Sequence, residues 1–139
     1  MKILTPIPLF ILLALCTTAI AETDKTSAHI ETIKQSDNQH YWVHFTSKLD
    51  PIVINTMHAW IIHIKDKDKN PILNAEVTVD GGMPEHNHGL PTQPRVTKNL
   101  GDGCYLLEGM RFHMGGWWTV RITIVDEGIQ DSVTFDLQL

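Results

Sequence analysis

The sequence predicts an all-β chain, an immunoglobulin-like antiparallel β-sandwich of about seven strands behind an N-terminal signal peptide. Three observations predict it. Apolar residues recur with period two in segment after segment, the pattern of strands with one wet face. Clusters of Asp, Asn, Gly and Lys separate those segments at short intervals. No stretch carries a convincing helical pattern, and no internal repeat or low-complexity tract breaks the chain into further domains.

The elements follow in order. Residues 1–21 read as a secretory signal: Lys2, an apolar run over 7–15 interrupted by Pro8, and the small-x-small site Ala19-Ile20-Ala21. The run is shorter than the roughly 20 residues of a membrane span. Glu22 is then the first mature residue and residues 22–139 form one domain, with 22–28 as a polar lead-in. "YWVHFTS" turns Tyr41, Val43 and Phe45 to one face and Trp42 and His44 to the other. "MHAWIIHI" is apolar on both faces, as a central strand is. "AEVTVD" places Ala75, Val77 and Val79 inward. Residues 95–100 and 104–108 give two shorter strands. "WWTVRITIV" buries Trp118, Val120, Ile122 and Ile124, and "SVTFDLQL" buries Val133, Phe135, Leu137 and Leu139. The turns fall at 36–39, 65–71, 101–103 and 126–130.

Charge and cysteine content exclude some functions. The formal charge is −5, and −6 once Lys2 leaves with the signal. An acidic domain is a poor partner for nucleic acid or anionic membrane. Cys16 also leaves, so Cys104 stands alone and no internal disulfide forms. Cys104 reads as a small apolar residue buried in a strand. A thiolate ligand or an intermolecular bridge is the sharper alternative.

Strand parity places the loops. If 75–80 runs up, the loop "GGMPEHNHGLPTQP" over 81–94 lies at the top, and 95–100 runs down. The strand 104–108 then returns upward and delivers "GMRFHMGG" over 109–116 to the same end, where Met57 and His58 also begin their strand. This brings together Met83, His86, His88, Met110, His113 and Met114, with Met57 and His58 as outer candidates. Thioether and imidazole donors suit copper, and methionine favours Cu(I). Each member also has a structural reading. Met110, Phe112 and Met114 alternate as core residues would, with His113 on the other side, and His86 and His88 can fasten their loop through hydrogen bonds. His29, His40, His44, His58 and His63 read as surface or packing residues.

"DGGMPEHNHGLPTQPRVT" followed by "LGDGCYLLEGMRFHMGGWW" resembles the YtkA-like family, grouped with the FixH-like envelope proteins. The resemblance runs from about Met57 through Val125 and is carried by the Met-Pro-x-His-x-His-Gly, Gly-Asp-Gly-x-Tyr and Gly-Met-x-Phe-x-Met segments. It implies an exported or membrane-tethered immunoglobulin-like domain, and its FixH-like branch implies association with copper-pump and cytochrome oxidase assembly. It supplies no catalytic residues. The shared motif falls on Met83, Pro84, His86, His88, Gly89, Met110, Phe112, Met114 and Trp118. Two departures stand out: the signal here is of the cleavable kind, and Gly115 occupies a position where relatives often carry proline.

The expected function is therefore a periplasmic or secreted metal-binding module, with copper as its cofactor, that acts in metal handling or envelope protein assembly by handing its ion to a partner. The alternative is an interaction module whose stiff top loops and Trp117 dock another envelope protein, with a metal-free histidine loop. An enzyme is disfavoured. "EHNH" lacks the spacing of the HExxH zinc-hydrolase helix, and neither a nucleophile elbow nor a phosphate loop is present.

Overall fold

The computed structural model describes residues 30–139; the expected signal peptide and polar lead-in lie outside them. Among the described residues there is no helix. Nine strands follow one another: β1 (Ile33–Gln35), β2 (Tyr41–Ser47), β3 (His58–Asp66), β4 (Glu76–Met83), β5 (His88–Gly89), β6 (Arg95–Gly101), β7 (Cys104–Met110), β8 (Trp117–Asp126) and β9 (Ile129–Gln138). All pairings are antiparallel, in the order β1-β2-β3-β7-β6-β4-β8-β9, with β5 beside β4.

The all-β expectation holds, and two details of it change. There are nine strands rather than about seven. β1 is too short to show alternation, and β5 forms because residues 84–87 fold back within what read as a loop. The sheet is also one continuous, barrel-like surface. Two halves, β1-β2-β3-β7-β6 and β5-β4-β8-β9, are joined by the single pair Thr78–Arg95. On the far side β1 approaches β9, where the Asp37 N–H donates to the Ser132 carbonyl at 2.7 Å and Lys34 Nζ reaches the Thr134 carbonyl at 3.2 Å.

The alternation read from the sequence produces the core. Tyr41, Val43 and Phe45 from β2, Trp118, Val120, Ile122 and Ile124 from β8, and Val133, Phe135 and Leu137 from β9 are all buried. Trp60 and Ile62 of β3, the strand next to β2, are buried with them. Phe45 stacks on Trp60 with centroids 4.2 Å apart and meets Phe135 edge-on at 4.9 Å. Such aromatic contacts add about 0.5–1.5 kcal/mol beyond their burial.

The hairpin turns are set by local chemistry. Asp102-Gly103 and Glu127-Gly128 both have positive φ at the two central positions (52° and 73°; 49° and 81°). That is the twist-matched two-residue hairpin turn, and Asp-Gly is among its preferred sequences. β4 runs on through Gly81 and Gly82, which the sequence placed in the loop. Glycine is required there because a Cβ on Gly81 would lie 2.7 Å from the Thr119 carbonyl oxygen, and one on Gly82 would collide with the His88 carbonyl.

β6 crosses fully, so the parity argument holds. The top end carries 48–57, 84–94, 111–116 and the chain end at Leu139. The bottom end carries the turns at 36–40, 66–70, 101–104 and 126–129.

Candidate functional site

The β4–β5 hairpin builds the first part of the site. Its turn closes through the His86 N–H donating to the Met83 carbonyl at 3.1 Å, with Pro84 and Glu85 between. Proline presets the φ that such a turn needs at this point, and Asn87 at φ 52° carries the chain into β5. Met83 and His88 are direct cross-strand partners. Partners of this kind project to the same face with Cβ atoms about 5 Å apart. Met83 is buried and His88 is exposed. Gly116, at φ 121°, makes room: a Cβ there would lie 2.9 Å from the Met83 methyl.

The 111–116 segment supplies the rest. β7 ends at Met110, and the Asn55 N–H holds the next turn through the Phe112 carbonyl at 2.7 Å. Met110 and Phe112 are fully buried and Met114 is exposed. The expected core alternation thus covers only the first two. It stops at Met114 because the strand has ended and Gly116 pairs with Leu139 through two backbone hydrogen bonds of 2.7 and 3.0 Å. His113 is half-buried. Its ring lies 5.8 Å from that of His88 and 5.3 Å from Trp118, edge-on in both cases. The Trp118 indole N–H donates to the Met114 carbonyl at 3.0 Å.

The structure therefore brings three imidazoles into one run. His86 and His88 are nearly parallel at 6.3 Å between centroids, and His88 leads on to His113. Two imidazoles sharing an ion at nitrogen distances of about 2.0 Å would have ring centres roughly 5–6 Å apart. The His88–His113 spacing of 5.8 Å lies inside that range, and the His86–His88 spacing of 6.3 Å lies beyond it. Among the described residues, no three His, Cys, Asp or Glu side chains already surround one point.

Met110 is placed beside a different histidine. It pairs across the ladder with His58, whose ring lies 5.9 Å from Phe112. His58 Nδ1 is 3.0 Å from the Thr56 carbonyl, to which it donates. Its Nε2 is buried without a partner, as is His113 Nδ1. Buried polar atoms are nearly always paired, so these two mark the top end as chemically incomplete. Met57 is 57% exposed at the same end.

One grouping was missed by the sequence reading. Cys104 is half-buried on the outside of the barrel, and its sulfur contacts His63 at 3.2 Å. His63 in turn stacks on His44. The three lie in three separate segments, and only the strand register reveals that they are neighbours.

The model of the YtkA-like family matches residues 35–123. The match takes in β2 through most of β8, and with them both His-bearing top segments. Among solved structures, the chain is similar to one titled ZirS C-terminal Domain, at 9% identity and a TM-score of 0.44, covering 99% of this chain and 88% of that one. No curated protein matches the chain.

Proposed function

The chain belongs to the YtkA-like family, and from that premise we propose that it is a small exported metal-binding module, for copper, that binds and releases its ion without catalysing a reaction and passes it to an envelope partner. The observation that carries this reading is the run His86–His88–His113 at the top end, with Met83 as the cross-strand partner of His88. The donor set fits the ion: neutral imidazole suits copper in either state, and thioether favours Cu(I). His86, His88 and His113 would hold it, with Met83 as the buried fourth donor and Met114 as the exposed one. The unpartnered Nδ1 of His113 supports the same reading, because a ligand would satisfy it. Met110 serves with His58 at the edge of the site. Bound copper would supply only its own ligand exchange. The protein's part is to fix the imidazoles on a hairpin whose turn Pro84 stiffens.

The test is anaerobic Cu(I) titration against a competing chelator, with a His86→Ala/His88→Ala double variant alongside. Tight one-to-one binding, lost in the variant while its melting transition is unchanged, is the expected result. Weak binding, or binding that the variant retains, would sink the reading.

A second reading is favoured by a separate observation. Val53, Ile54, Met57, Met114 and Trp117 are large apolar residues between 37% and 57% exposed, all at the top end. Such a patch suits a docking face, with the histidines then only structural. A Met57→Ser/Trp117→Ser variant separates the two readings. If metal binding is the function, it should keep its copper affinity. If docking is the function, this variant loses activity in the cell while the histidine double variant keeps it.

A further inference from the structure

Three metal-ligating side chains stand in one row across the outside of the barrel, at the other end of β7 from Met110. His44 on β2 is directly opposite His63 on β3, and His63 is directly opposite Cys104 on β7. Their strand neighbours Val43, Ile62, Ile64 and Tyr105 are buried, so alternation turns all three outward. The two imidazoles stack with centroids 5.1 Å apart and planes 22° from parallel. The Cys104 sulfur lies 3.2 Å from His63 Nδ1. Beyond Cys104 the row ends at Gly101, its partner on β6, where an added Cβ would meet nothing within 4 Å. The flank of the sulfur is open.

We propose that Cys104 and His63 form a second metal site, for a soft monovalent d10 ion of the Cu(I) class, with His44 holding the His63 ring from behind. A thiolate and an imidazole on one ion, at about 2.3 and 2.0 Å, stand roughly 3.5 Å apart. The observed 3.2 Å separation must open by a few tenths of an ångström for an ion held at a tetrahedral angle, and by about 1 Å for one held in line, before it replaces the shared proton. As the ion enters, the thiol proton leaves to solvent, and the sulfur–metal and nitrogen–metal bonds take its place. Thiolate selects soft ions. Lys65, two residues from His63, and Lys69 line the same shallow surface with His44. Their positive charge disfavours a divalent cation, whereas a monovalent ion bound to thiolate is neutral overall.

This site does not rest on the loop histidines, and its test removes them. The full chain carrying His86→Ala/His88→Ala and Cys16→Ser is titrated anaerobically with Cu(I), reading the near-ultraviolet thiolate-to-copper charge-transfer band. One equivalent with that band is expected. Adding Cys104→Ser should abolish the band, and His63→Ala should weaken binding at least tenfold. His44→Ala should cost about tenfold, as loss of an orienting neighbour does, and His44→Phe, which keeps the stacking, should restore it. Bound Cu(I) should also slow alkylation of Cys104 at least tenfold, a readout that needs no variant of Cys104. Absence of the band, its survival in Cys104→Ser, or alkylation indifferent to Cu(I) overturns the proposal.

Discussion

The two ends of the barrel use polar groups in opposite ways. At the bottom, Asp131 is buried to 3% and each of its neighbours answers it. Its carboxylate accepts from the Asn38 N–H and side-chain amide, from the His40 N–H and from the Ser132 N–H, at 2.8–3.4 Å. Tyr41 and Tyr105 add hydroxyl hydrogen bonds to the Ile129 and Ile72 carbonyls. At the top, among the described residues, lie all four buried side-chain polar atoms without a partner: His58 Nε2, Trp60 Nε1, Arg111 Nε and His113 Nδ1. Most of the large exposed apolar side chains lie there too. An end that is fully paired serves stability. The top end leaves ring nitrogens, N–H donors and apolar surface unanswered.

The sharpest way to break this comparison is at Asp131. Asp131→Ala strands several buried N–H donors at once and should cost about 3 kcal/mol in urea unfolding. The His86→Ala/His88→Ala pair, at the other end, should stay within about 0.5 kcal/mol of the parent because both side chains are exposed. If the two variants lose similar stability, the division of labour is wrong.

Acid sharpens the same point. Burial alone would raise the Asp131 pKa, but the hydrogen bonds from Ser36, Ser132, Asn38 and His40 more than offset it and hold the carboxyl well below the usual range. A group whose pKa is depressed on folding stabilises fully above its unfolded value, about 3.9, and loses that contribution as pH falls below it. The urea midpoint of the parent should therefore drop between pH 5 and pH 3 more steeply than that of Asp131→Asn. Equal slopes would remove Asp131 from the account.

These residues also show what was legible in the sequence. The core was, because Tyr41 to Phe45, Trp118 to Ile124 and Val133 to Leu137 alternate without interruption. So was the meeting of the top loops, because strand parity needs only a count of crossings. Asp131 was legible as an anomaly, since the parity of Val133 and Phe135 turns it inward, but its partners at 36–40 come from the other end of the chain. The His44–His63–Cys104 row was hidden for the same reason: cross-strand register is a property of turns and pairing, and period two fixes only the face. Gly81 and Gly82 misled in the other direction. Their lack of a side chain marked a loop by composition, whereas they lie in a strand crowded by the Thr119 and His88 carbonyls.

Gly82 gives a smaller test of how stiffly the top hairpin is held. Gly82→Ala forces a methyl against the His88 carbonyl and should cost about 1–3 kcal/mol. It should also push β5 away from Met83 and weaken copper binding, while a substitution of equal size at the exposed Gly128 turn alters stability only. A Gly82→Ala protein that binds copper as the parent does would mean that the Met83–His88 pairing is unnecessary to the site.

The smallest expected effect runs against intuition and follows directly from the contrast between the ends. His58 keeps one nitrogen on the Thr56 carbonyl and buries the other unanswered. Replacing a group that is buried and unsatisfied by an apolar one of similar shape is neutral or stabilising. His58→Phe should therefore melt at the parent temperature or slightly above, by up to about 1 kcal/mol of added stability, with its ring packing on Phe112 and Trp60 as the imidazole does. The corresponding change at the bottom, Tyr41→Phe, removes a satisfied hydroxyl from the Ile129 carbonyl and should lose about 1 kcal/mol. Opposite signs from two conservative aromatic substitutions would show that the polar groups of the two ends are kept for different reasons. A loss of stability in both would mean that His58 has a partner in solution, such as an ordered water, and that the top end is as complete as the bottom.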